Sequence, residues 1–92
     1  MDRDKIFLNH ILESINLIIE YTIDVNEQAF FEKTEVQDKV FRRLEIIGEA
    51  IKNISNELKS KYVNVPWKQA AGLRDILIHS YFAAVESHLF EA

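Results

Sequence analysis

Arg74, Asp75, His79 and Tyr81 fall within one short segment, and their types and spacing suit proton transfer beside an anion. At about 100° per residue, Tyr81 lies about 20° round a helix from Arg74, so a guanidinium and a phenol share a face. Ala70, Ala71, Leu77 and Ile78 flank that direction, which makes it otherwise a packing face. A guanidinium left there without a partner is costly, so Arg74 must meet a carboxylate, a phosphate or a subunit boundary that keeps water. Asp75 and His79 are four residues apart, about 40° round the helix, which lets the carboxylate contact and orient the imidazole. An aspartate in that position favours the imidazolium and suits it to general-acid work. The bland reading of the same pair is a solvated surface contact.

The elements that must position these groups are helical. Leu8, Ile11, Leu12, Ile15, Ile18 and Ile19 recur at steps of three and four, predicting a first helix over Lys5 to Tyr21. Asn26 is a good cap for a short helix through Glu27, Ala29, Phe30 and Phe31. Thr34 followed by Gln37 matches a capping box and predicts the start of a third helix. Val36, Val40, Leu44, Ile47, Ile51, Ile54 and Leu58 then follow at alternating four- and three-residue steps, the strongest periodic signal in the chain. Gly48, off that seam, marks either a close helix approach or simple tolerance. Pro66 pre-sets the start of a fourth helix from about Trp67 to Tyr81, and residues 82–92 leave room for about three further turns.

Ninety-two residues, two glycines and one proline indicate one helical domain over residues 1–92, small enough that a partner subunit is expected to add stability. The absence of cysteine rules out disulfides, thiolate metal sites and a thiol nucleophile, and indicates a reducing cytoplasm. Asn9, His10, Glu13 and Asn16 interrupt the first apolar run before a signal-peptide core or membrane span forms, so a soluble protein is expected. The net charge of −4 is uneven. Residues 1–38 hold three basic and nine acidic side chains, and residues 39–92 hold eight and six, so only the second half welcomes phosphate, and any RNA contact is local.

The segment Gly72 to Phe82, with its Arg-x4-His-x-Tyr pattern, resembles the HEPN family and specifically its HepT branch. Arg43 to Ala50 is similar to that branch's third-helix signature, and Pro66-Trp67 followed by Ala71-Gly72 to the start of its fourth helix. The resemblance spans residues 3–82. It implies an all-α, up-and-down bundle of four to five helices that dimerises so that two motifs line a shared cleft. It also implies a metal-independent endoribonuclease, the toxin of a pair whose antitoxin is a minimal nucleotidyltransferase. In such pairs the motif tyrosine, here Tyr81, receives AMP, with ATP only as donor, and the toxin is silenced. On this reading His79 is acid or base for attack of an RNA 2′-hydroxyl on its neighbouring phosphate, which leaves no role for DNA. Arg74 meets the developing charge with a planar fork of donors, and Asp75 orients His79. Family members usually carry a longer fifth helix, so the bundle here is expected to be shortened at its C-terminus.

Other signals carry less. His10 and His88 have no second ligand at helical spacing, so no metal is expected. Trp67 with Tyr62 suits a packing anchor better than a base-stacking platform, and Arg42 and Arg43 suit a solvated helix face. Two alternatives to the ribonuclease remain: a non-catalytic helical partner or substrate of a nucleotidyltransferase, and a bare structural bundle.

Overall fold

Val40, Ile47, Ala50, Ile51 and Ile54 recur on one side of the third periodic segment, and they are the apolar core among the described residues, each at most 5% exposed. A computed structural model describes the backbone of residues 2–91 and the side chains of 3–80, 82 and 83. The described residues form six helices and no strand: α1 (Asp2–Thr22), α2 (Glu27–Glu32), α3 (Thr34–Asn53), α4 (Asn56–Lys61), α5 (Trp67–Ala71) and α6 (Leu73–Glu91). The molecule is a small all-α bundle with α3 as its spine, because α1, α2, α5 and α6 all pack against that helix. Two contacts fix α1 antiparallel to α3. Asp4 at the start of α1 meets Ser55 just past the end of α3, and Lys39 near the start of α3 lies over the ring of Tyr21 at 5.3 Å.

Two of the expected long helices are broken, each for a local reason. The seam from Val36 to Leu58 continues, but its helix stops at Asn53, and Ser55 caps the separate α4 by accepting from the Leu58 N–H at 3.1 Å. The expected run from Trp67 to Tyr81 divides at Gly72 where α5 presses against α3, and α6 then continues without interruption to Glu91. The capping box also fails. Thr34 is already helical and Lys33 provides the N-cap without a side-chain bond, while the buried Gln37 amide donates to the carbonyls of Phe30 at 2.7 Å and Phe31 at 3.0 Å. Gln37 therefore satisfies the last carbonyls of α2 instead of the first donors of α3. Asn26 caps α2 as expected, its Oδ1 accepting from the Ala29 N–H at 2.8 Å.

The apolar stripe of α1 is wider than α3 can cover. Asp4 and Ser14 are buried and Phe7, Ile11 and Ile18 half-buried, whereas Leu8, Leu12, Ile15 and Ile19, about a quarter-turn round, are 39–57% exposed. The radius of gyration is 15.4 Å, against about 12 Å for a globule of this length. An elongated chain with an open apolar line gains less from burial than its composition offers.

Ser55 ties the two ends of the α1–α3 pair together, donating its backbone N–H at 2.8 Å and its hydroxyl at 2.6 Å to the Asp4 carboxylate. These two bonds, the hydroxyl's first, hold the Asp4 carboxyl below its ordinary value of 3.8. The folded state therefore binds the proton less readily than the unfolded chain, so the stabilisation is present above the ordinary value and is lost as pH falls through the lowered one. Asp4→Asn should melt at a lower temperature than wild type at pH 7, with the gap closing below about pH 4. Thermal denaturation by circular dichroism across that range measures it, and a gap independent of pH would contradict the assignment.

Candidate functional site

The position of α6 depends on Gly48. A Cβ on this residue would sit 2.7 Å from the backbone carbonyl oxygen of Ala71, closer than real carbon–oxygen contacts, so α5 can lie against α3 only because no side chain intervenes. Of the two readings of this glycine, the close approach is correct. It brings the first turn of α6 over the outer flank of α3, one turn from Glu45.

There Arg74 meets the carboxylate its setting requires. Its Nε lies 3.4 Å from Oε2 of Glu45, and its Nη1 donates to Oδ1 of Asp75 at 3.3 Å. The other Glu45 oxygen accepts from Nη1 of Arg42 at 2.9 Å, so one carboxylate on α3 joins two guanidiniums. The Arg74 side chain is 43% exposed, yet its Nε atom is buried and makes no hydrogen bond: the contact with Glu45 is ionic and lies off the N–H direction. Glu45, Arg74 and Asp75 line an open cleft of about 290 Å³ together with Gly48, Glu49, Lys52 and Ala71. A larger hollow of about 590 Å³ beside α2 is edged by Glu27 and Glu32 and holds none of the expected groups.

His79 is not drawn into this cleft. Five residues beyond Arg74 it points about 140° away round α6, is exposed, and makes no hydrogen bond or ion pair with any described residue. The expected contact between Asp75 and His79 is not made in the single chain, because the Asp75 carboxylate turns to the adjacent, permanently charged guanidinium. Tyr81 falls within the backbone of α6, and its side chain lies outside the described residues. Arg74 and Asp75 are thus together, and His79 stands apart.

Glu45 is the member that sequence reasoning missed. Its signal was available: it lies one turn before Gly48 on the same flank of α3, and a charge beside a close helix approach needs a partner from the helix that approaches. Arg42 sits on an exposed face as expected, though engaged by Glu45, and Trp67 is half-buried with its Nε1 donating to the carbonyl of Tyr62 at 3.1 Å. Among the described residues no group of acidic or histidine side chains is arranged to hold a metal ion, and no helix is long and apolar enough to cross a membrane.

The family described as Ribonuclease HepT-like matches residues 11–92. This chain belongs to that family. Among HepT-like relatives, it is 60% identical over 78 residues to a Methanocaldococcus jannaschii protein named as a gamma-glutamylcyclotransferase and candidate RNase, covering 85% of this chain and 35% of the relative. A candidate RNase of the same organism is 50% identical over 78 residues, covering 85% of this chain and 72% of the relative. A probable ribonuclease HepT of Thermococcus cleftensis is 45% identical over 78 residues, covering 85% and 71%. The chain therefore spans about a third of the first relative's length and about seven tenths of the other two. No solved structure matches it.

Because the cleft around Arg74 is assembled by a backbone contact, Gly48→Ala should push α5 away and loosen Arg74. Overpacking of this kind costs about 1–3 kcal/mol, or roughly 5–20 °C of melting temperature in a domain of this size. A melt unchanged from wild type would show that the approach of α5 is soft.

Proposed function

We propose that this chain is the toxin of a HepT-type toxin–antitoxin pair, a metal-independent endoribonuclease that acts in the cytoplasm on RNA and not on DNA. The observation that carries the reading is Arg74: a guanidinium at the head of an Arg-x4-His-x-Tyr segment in a HepT-like chain, seated in a cleft with much of its side chain open to solvent. An RNA 2′-oxygen attacks the adjacent phosphorus as the bond to the 5′-oxygen breaks. His79 takes the proton from the nucleophile or returns one to the leaving oxygen. Arg74 presents its fork to the phosphate oxygens as charge develops on them. Asp75 is the orienting residue, bearing on Arg74 in the described geometry and on His79 once a substrate phosphate takes the guanidinium.

Because Arg74 and His79 diverge by about 140° in one chain, the reading requires two copies, with one motif facing the other across a shared cleft. The exposed line Leu8, Leu12, Ile15 and Ile19 supports self-association in general terms, as an apolar surface left open by the single chain. Tyr81, near the Arg74 side of the helix, is the point at which a nucleotidyltransferase antitoxin transfers AMP from ATP, and the bulky anion then obstructs the cleft and repels RNA. The divergence also favours a second reading, in which the chain is a non-catalytic partner and substrate of the nucleotidyltransferase.

Purified protein should cleave RNA in EDTA and leave DNA intact. Arg74→Ala and His79→Ala should each lower kcat/KM by about 10²-fold or more, and Arg74→Lys should not recover the loss. If both alanine variants cleave like wild type, with contaminating nuclease excluded, the mechanism fails. With the nucleotidyltransferase and ATP, mass spectrometry should find AMP on wild type but not on Tyr81→Phe. Intact RNA in every lane beside that modification would establish the second reading instead.

A further inference from the structure

We propose that Glu45 is the positioning residue of this site, gripping the inner edge of the Arg74 guanidinium from α3 so that its outer edge faces the phosphate. The inference rests on the ribonuclease reading for its kinetic consequence, but its geometric content stands apart from any reaction.

Three observations carry it. First, the Arg74 Nε is buried although its side chain as a whole is 43% exposed, so the guanidinium is embedded along one edge only. A buried donor without an acceptor is unfavourable, and Oε2 of Glu45, 3.4 Å away, completes the bond with a small rotation of the carboxylate. Secondly, Glu45 is itself braced, because its Oε1 accepts from Arg42 at 2.9 Å and α3 carries most of the buried residues among those described. The carboxylate is therefore anchored on the rigid spine, whereas Arg74 belongs to the helix that must be placed. Thirdly, the two carboxylates near Arg74 differ in what they can do. Asp75 is its sequence neighbour, 75% exposed, and contacts Nη1, one of the nitrogens that phosphate would use. Glu45 contacts Nε, leaving the Nη edge available for paired hydrogen bonds to phosphate.

An incoming phosphate accordingly displaces Asp75 and keeps Glu45. An arginine held side-on loses fewer rotamers when it engages substrate, and it meets charge as that charge develops instead of searching for it. Removal of Glu45 should thus act on the chemical step more than on substrate binding.

The test compares wild type, Glu45→Gln, Glu45→Ala and, as a remote control, Glu57→Gln in the intact chain, with circular dichroism confirming the fold of each. NMR of the Arg74 Nε–Hε group is the direct readout: the signal should exchange slowly with water in wild type and in Glu57→Gln, and faster by about tenfold or more in Glu45→Ala, with the neutral Glu45→Gln intermediate. In single-turnover RNA cleavage, Glu45→Ala should lower kcat by about tenfold or more, with KM changed less than about twofold. An Arg74 Nε–Hε signal unchanged in Glu45→Ala overturns the proposal, as does a full kcat in that variant. If wild type itself cleaves no RNA, the ribonuclease reading falls, and the NMR comparison alone decides the role of Glu45.

Discussion

The site exists because α3 offers a side with no side chain at Gly48, against which the Ala71 carbonyl can rest. The placement of Arg74 follows from that contact. Two helices that touch through backbone are closer than two held apart by leucines, and at that separation a glutamate one turn along α3 reaches the guanidinium that opens α6. The apolar residues buried on the same helix, Val40, Ile47, Ala50 and Ile51, with Ile54 just past its end, form the core around which α1 and α5–α6 pack. One helix is both the hydrophobic spine and the carrier of the carboxylate that faces the arginine.

Charge near Arg74 is balanced rather than basic. Glu45, Glu49 and Asp75 share the cleft with Arg74 and Lys52, and the whole chain carries −4. Such a surface does not attract nucleic acid by counterion release, so under the proposed reading RNA would be held by a few well-aimed contacts. Exposed ion pairs of this kind are each worth at most about 1 kcal/mol, so the pairing of Arg74 with the 75% exposed Asp75 is weak. The arrangement keeps a half-buried cation paired with two carboxylates. It also separates roles: a carboxylate on the spine constrains the inner edge of the fork, and one on the surface covers the outer edge.

The single chain leaves much of its apolar surface in water. Leu8, Leu12, Ile15 and Ile19 form an open line along α1, and Ile76 on α6 is half exposed. Among the described residues the buried apolar core comes almost wholly from α3, so its burial is modest. Covering that line would add stability that the chain cannot obtain alone, and the proposed ribonuclease reading would also need two copies to bring Arg74 and His79 together.

The helical class, the first helix, the buried seam of α3 and the Arg-x4-His-x-Tyr segment were all legible in the sequence, because each depends on spacing within a few turns of one helix. Even the need of Arg74 for an anionic partner could be read, since the apolar neighbours of its helical face are local. What tertiary structure decided lies across long separations. Asp4 meets Ser55 from fifty-one residues away where the third helix breaks, Gln37 turns from its own helix to the carbonyls of α2, and Glu45 reaches Arg74 only because Ala71 settles on Gly48. Periodicity states which face of a helix is apolar, but not which neighbour covers it. Which carboxylate pairs with the guanidinium is set by how closely two helices approach, and no spacing along the chain encodes that distance.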